Sequence, residues 1–181
     1  SEAVTLRELL HDPGDYLRQV EQRAAEQFGG KATLSLTDQL VDGKLVVQQG
    51  IIAGCAGGMY DNIAEAAAIL SGGDVGCGPF SLSVYPPSIP VNLELMQNGV
   101  QQALLEAGVL FKPCFCGPCF GAGDVPANNA LSVRHTTRNF PNREGSKPGD
   151  GQLSGVLLMD ARSIAATARN HGVVTSAAEV D

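Results

Sequence analysis

The sequence predicts an α/β domain, and three observations carry that reading. The run Leu45 to Ala53 is apolar enough for a strand covered on both faces, and the glycine-rich turn after it leads into Tyr60 to Leu70, where Ile63, Ala66, Ala67 and Leu70 recur at helical spacing. The same order returns as a strand over Phe80 to Tyr85, a helix from about Pro90 to Ala107 and a strand over Val109 to Lys112. With 181 residues, 44% of them hydrophobic, the chain is long enough to bury one sizeable core.

Taken in order, residues 1–30 read as a helical lead-in and residues 31–181 as the domain proper. Thr5 to His11 forms one helical piece, Asp12-Pro13-Gly14 interrupts it, and Asp15 to Phe28 forms another, with Leu17, Val20, Ala24 and Ala25 on one stripe before Gly29-Gly30. Ala32 to Leu36 is a short β-like run. Cys55 follows the strand that ends at Ala53, so the order is strand, cysteine turn, helix, and a thiol at a helix N-terminus sits in the positive end of the macrodipole. The strand over Val109 to Lys112 likewise delivers Cys114, Cys116 and Cys119. In open α/β sheets the crevice at the carboxyl ends of the strands is where ligands bind. Beyond Cys119, Ala130 to Thr136 and Val156 to Met159 read as strands. Asp160 caps a final helix reaching about Asn170, which Gly172 closes. The stretch from Arg138 to Gly155 has no helical or strand period, and a loop of that length is more often functional than idle.

Charge and composition exclude several function classes. The net charge is −7, spread along the chain without a Lys/Arg run, which argues against a nucleic-acid surface. No apolar run approaches a membrane span and no signal peptide opens the chain, so a cytoplasmic protein with no membrane partner is expected. Five cysteines at irregular positions do not form a secreted disulfide framework, and reduced thiols are expected instead.

Those thiols carry the chemistry. Cys116-Gly117-Pro118-Cys119 is a C-x-x-C turn with two main readings, a soft-metal site or a dithiol that cycles with a disulfide. Gly117 gives the turn backbone freedom and Pro118 fixes φ, so that both sulfurs can face one point. The tetrapeptide is identical to the active site of thioredoxins. The context differs, because the chain has no Trp and Phe120-Gly121-Ala122-Gly123-Asp124 breaks the helix that such a site opens. A structural zinc module drawing on Cys114, Cys116, Cys119 and either Cys77 or a histidine lacks the usual second C-x-x-C or H-x-H partner. Three thiolates, two from one turn and one from a distant strand end, match a cubane iron-sulfur cluster held by three irons with the fourth left open. An open iron is a Lewis acid able to bind a hydroxyl and a carboxylate. If residues 114 to 116 are extended, Cys114 and Cys116 point to the same side and either can ligate. Cys77 is expected to pack in the interior. Of the three histidines only His135, close to the arginine-bearing loop, is placed to line a pocket.

Several blocks in order turn this into a family resemblance. Ile51-Ile52-Ala53-Gly54-Cys55, Tyr60-Asp61, Ala107-Gly108, Cys116-Gly117-Pro118-Cys119-Phe120-Gly121 and Arg138-Asn139-Phe140-Pro141-Asn142-Arg143 together resemble the iron-sulfur domain of the aconitase family, over about residues 31 to 175. The resemblance implies a three-layer α/β/α domain in which Cys55, Cys116 and Cys119 ligate a 4Fe-4S cluster. It implies that Arg138 and Arg143 bind substrate carboxylates, a role suited to the planar, permanently charged guanidinium. The reaction implied is reversible dehydration and hydration of a hydroxy-polycarboxylic acid. The catalytic base belongs, in the family, to a serine on a domain that these 181 residues do not contain, and Ser81, Ser88 and Ser132 match no catalytic motif of the family. The remaining domains of a longer enzyme are therefore expected partners, and the chain alone is expected to be inactive. Two departures bear on substrate identity. Ala56-Gly57-Gly58 stands where the family usually has Thr-Asn-Ser or Thr-Asn-Gly, and Thr137 stands where Asn normally precedes the first arginine.

Overall fold

A computed structural model of the chain describes residues 6–29, 35–36, 39–136, 145, 147 and 150–180. The first elements are helices α1 (Leu6–His11) and α2 (Pro13–Phe28). The interruption expected at Asp12-Pro13-Gly14 falls at Asp12 alone, and Pro13 and Gly14 already belong to α2. The Asp12 carboxylate accepts a hydrogen bond from the Asp15 N–H at 3.0 Å, and Pro13 occupies a first-turn position where its missing N–H costs nothing. Leu17 and Ala24 are buried as the stripe requires, whereas Ala25 is exposed. Leu9, Leu17 and Ala24 join the same apolar core as the sheet residues.

The run from Leu45 to Ala53 is two strands rather than one. β1 (Leu40–Val41) and β2 (Lys44–Leu45) form an antiparallel hairpin, and β3 (Gln49–Ile52) begins after a break. Asp42 and Gly43 connect the hairpin with φ of 53° and 75°, the left-handed pair that a two-residue turn demands. Within the β-like run expected over Ala32 to Leu36, residues 32–34 lie outside the described residues, while Ser35 and Leu36 belong to no strand.

The main sheet is parallel and five-stranded. β3, β4 (Ser81–Val84), β5 (Leu110–Phe111), β6 (Leu131–His135) and β7 (Gly155–Leu158) lie in the order β5-β4-β3-β6-β7. Between strands come the one-turn helix α3 (Gly54–Gly57), α4 (Tyr60–Leu70), α5 (Ile89–Gln97) and α6 (Val100–Glu106), and α7 (Ala161–Arg169) follows β7. The single helix expected from Pro90 to Ala107 is divided at Asn98-Gly99, where Gly99 has φ of 75°.

Each strand's alternation divides the sheet into two unlike faces. One carries Ile52, Leu82, Val84, Leu131, Val133 and Leu157, all buried in the main core with Ile63 of α4 and Ile164 of α7. Gly50 lets Ile164 approach the sheet there. α4 and α7 pack on one another through small residues, Ala66 and Ala67 against a helix that buries Ala161, Ala165 and Ala168. The other face carries Gln49, Ile51, Ser83, Ser132 and Arg134, placed side by side by the register Gln49↔Ser132 and Ile51↔Arg134. Its cover comes from the segment after β5. Chain order explains why. From β3 the sheet grows one way through β4 and β5, and then the chain returns to the far side of β3 to lay down β6. Right-handed crossovers that run in opposite directions along a sheet pass over opposite faces. Helices, parallel sheet and covering segment are consistent with the three-layer α/β class that the sequence predicts.

Candidate functional site

β3 and β6 flank the point where the strand order reverses, and the crevice there is the ligand-binding position of an open α/β sheet. Cys55 lies in that position, at the second residue of α3 immediately beyond β3. The order strand, cysteine turn, helix is as the sequence predicts, but Gly58 and Met59 divide the turn from α4, so the Cys55 thiol stands in a tight strand-end loop and not at the end of a long helix. The turn is wedged between neighbouring strand ends. The Ala53 N–H donates to the His135 carbonyl at 3.0 Å, and the Tyr85 N–H donates to the Ile52 carbonyl at 2.9 Å. A Cβ at position 57 would drive into the His135 carbonyl oxygen, and one at position 58 into the Tyr85 carbonyl oxygen. The packing of this chain therefore explains Gly57-Gly58 without reference to a ligand.

Cys116 and Cys119 bound a short 3-10 helix at Gly117–Cys119 in the segment that crosses to β6. The Cys119 N–H donates to the Cys116 carbonyl at 3.1 Å, and the Phe120 and Ala122 N–H groups both donate to the Gly117 carbonyl, at 3.1 and 2.9 Å. Gly117 is required for clearance, since a Cβ there would meet the Ala122 carbonyl and the Phe115 ring, and it does not adopt a left-handed φ. Phe115 and Phe120 brace the turn edge to face, with ring centroids 6.2 Å apart and planes at 75°. After the turn, Gly121 and Gly123 take φ of 81° and 82°, so no helix continues from Cys119. A thioredoxin-like dithiol, whose second cysteine lies in a helix, does not have this geometry.

The covering segment is fixed to the sheet by polar contacts. Arg134, only 3% exposed, donates from Nη1 to the Pro118 carbonyl at 3.1 Å and from Nη2 to the Asp124 carbonyl at 3.0 Å. Gln49 Nε2 also donates to the Asp124 carbonyl, at 2.9 Å, and the Tyr85 hydroxyl donates to the Asp124 carboxylate. Burial, reinforced by that hydrogen bond, pushes the Tyr85 hydroxyl well above its ordinary pKa, so it stays protonated. Neither Arg134 nor Tyr85 stood out in the sequence. Their signal was periodicity alone, an arginine in step with buried serines on a strand.

The two cysteine turns are thus tied to the same strand, the pair through Arg134 and the Cys55 turn through the His135 carbonyl. None of the five cysteines is in a disulfide. Cys55 and Cys116 are exposed and Cys119 is partly buried. Among the described residues no group of three or more His, Cys, Asp or Glu converges closely enough to hold a single metal ion. A cubane cluster sets a different requirement, because its three thiolates bind three different irons and never share one centre. Sulfur donors on two turns, each tied to β6, suit that donor set. Cys114 lies at a bend rather than in extended chain, which removes the premise that it shares a side with Cys116. Cys77 is exposed, contrary to the expected interior packing, because it lies in the glycine-flanked loop before β4. Arg138 and Arg143 lie outside the described residues. His135 closes β6 partly buried, with its Nδ1 lacking a hydrogen-bond partner.

The model of the aconitase family (aconitate hydratase) matches residues 1–166. The chain belongs to the aconitase family. Relatives within the family include the 3-isopropylmalate dehydratase large subunit of Nitratidesulfovibrio vulgaris, 32% identical over 125 residues, a match covering 66% of this chain and 29% of that protein. The large subunit 1 of the same enzyme from Methanopyrus kandleri is 33% identical over 121 residues, covering 66% and 29%. The large subunit from Pyrococcus horikoshii is 31% identical over 135 residues, covering 72% and 32%. The chain matches less than a third of the length of these relatives.

Proposed function

We propose that residues 31–181 are the cluster-binding and substrate-carboxylate-binding domain of an aconitase-like hydro-lyase, with residues 1–30 as a helical lead-in docked on its core. The observation that supports this reading is that both cysteine turns are tied by hydrogen bonds to consecutive residues of β6, Arg134 and His135, beside the reversal of strand order in an aconitase-family sheet. Cys55, Cys116 and Cys119 are the residues that would hold a 4Fe-4S cluster. When bound, such a cluster supplies a Lewis-acidic iron for a substrate hydroxyl and carboxylate. The chain's own residues do the rest of the binding. Arg138 and Arg143 offer planar, permanently charged forks for the carboxylates.

The reaction is the reversible dehydration and hydration of a hydroxy-polycarboxylic acid. Relatives named for 3-isopropylmalate support that substrate class. The base that removes the proton belongs to a part of the enzyme beyond this chain, so these residues alone bind and do not turn over. Partners are the small-molecule substrate, the remaining domains and, from the relatives' designation as large subunits, a second subunit. The location is the cytoplasm, where thiols stay reduced. Among the described residues no helix is long and apolar enough to cross a membrane.

Anaerobic reconstitution with iron and sulfide, read by the visible thiolate-to-iron absorption, tests the proposal on the native chain and on Cys55→Ser. Absorption that appears in the native chain and disappears in the variant supports it. Reversible Cys116–Cys119 oxidation without iron uptake in either would replace it with dithiol chemistry, and zinc uptake indifferent to Cys55 would replace it with a structural zinc site.

A further inference from the structure

We infer that Arg134 is the positioning residue of the Cys116/Cys119 turn, holding both ends of the covering segment to β6 so that the pair is in place before anything binds it. The inference starts from a charge where charges are rare. Arg134 is 3% exposed on a central strand, and a buried guanidinium is tolerated only when hydrogen bonds replace its water. Four such bonds involve neutral acceptors. Nε donates to Ser132 Oγ at 3.0 Å, Nη1 to the Pro118 carbonyl at 3.1 Å, and Nη2 to Gln49 Oε1 at 3.1 Å and the Asp124 carbonyl at 3.0 Å.

Two acceptors belong to the sheet and two to the covering segment, and this division defines the role. Pro118 lies between the two cysteines, and Asp124 ends the glycine loop that follows them. One side chain therefore spans from β6 to both ends of residues 118–124. Gln49 and Tyr85 secure the Asp124 end from β3 and from the end of β4. Lysine cannot substitute, because its donors radiate from one atom and do not reach two carbonyls and two side chains at once. The clamp also does not titrate at any working pH. His135, the next residue, holds the Cys55 turn by its carbonyl, so consecutive residues of β6 fix the two arms of the proposed ligand set.

Site-resolved alkylation of the unloaded full chain tests this, with mass spectrometry reading each cysteine in the native chain and in Arg134→Met. Cys116 and Cys119 are expected to react roughly tenfold faster or more in the variant, the consequence of losing hydrogen bonds to a charged donor. Cys55 and Cys77 are expected to keep their native rates. Equal rates at Cys116 and Cys119 in a folded variant overturn the inference, and so does a uniform rise at every cysteine, which would mean general loosening. If Arg134→Met does not fold, Arg134→Lys and Tyr85→Phe are read by the same criterion. Hydrogen exchange of the native, unloaded chain gives an independent check. Protected amides at Cys119, Phe120 and Ala122 support a preformed turn, and unprotected ones refute it. A second arm rests on the cluster reading: iron loss to a chelator from the reconstituted chain is expected to be roughly tenfold faster in Arg134→Met. Failure of the native chain to take up iron defeats that reading alone, and the alkylation arm then decides the role of Arg134.

Discussion

At the residue scale, Gly57 and Tyr85 show how the candidate site is tied to the fold. Gly57 is buried against the His135 carbonyl oxygen, a backbone atom that cannot swing aside. Gly57→Ala is therefore expected to cost about 2 kcal/mol in urea unfolding. Gly78→Ala, where a new Cβ meets nothing within 4 Å, is expected to stay within about 0.5 kcal/mol of the native chain. Tyr85 gives the chain an alkaline sensitivity. Its pKa in the fold is raised above the ordinary value of 10.0, first by burial and then by its hydrogen bond to Asp124. The folded chain keeps a proton that the unfolded chain releases, so the stability this contributes is intact below about pH 10 and falls as pH rises beyond it. Urea midpoints measured across that range are expected to decline less steeply in Tyr85→Phe than in the native chain. Of this site, the cysteine motif was legible because two cysteines three positions apart stay close in any fold. The Arg134 and Tyr85 contacts were not, because they depend on which face of which strand the covering segment crosses.

Elements were legible where one period dominates. α4 has the range and the buried stripe that its sequence predicts, and Asp160 caps α7 as read, accepting from the Ser163 N–H at 2.9 Å. α7 carries much of the core that backs the sheet, so Asp160→Ala is expected to lower stability by about 1 kcal/mol, measurable as a shift in the thermal midpoint. The errors have a common physical origin in short backbone signals overridden by a longer hydrophobic pattern. Asp42-Gly43 is a hairpin signal that the apolar run after it obscured. Gly99 separates two apolar helical runs, and its left-handed φ makes the corner between them.

At the scale of the whole molecule, the sheet order explains how residues 61 positions apart in sequence, Cys55 and Cys116, come to lie on turns tied to the same strand, β6. Growth of the sheet in one direction through β4 and β5 and its return to β6 bring the segment after β5 back across β3, and Cys55 waits at the end of β3. The α/β class was legible from repeated strand and helix patterns. The reversal was not, because hydrophobic periodicity does not record which strands are neighbours. The most direct test of the account is iron and sulfide stoichiometry after anaerobic reconstitution, measured on five single Cys→Ser variants of the chain. The account expects cluster content to collapse for Cys55→Ser, Cys116→Ser and Cys119→Ser and to persist for Cys77→Ser and Cys114→Ser. Retention without Cys55, or loss without Cys114, would contradict it.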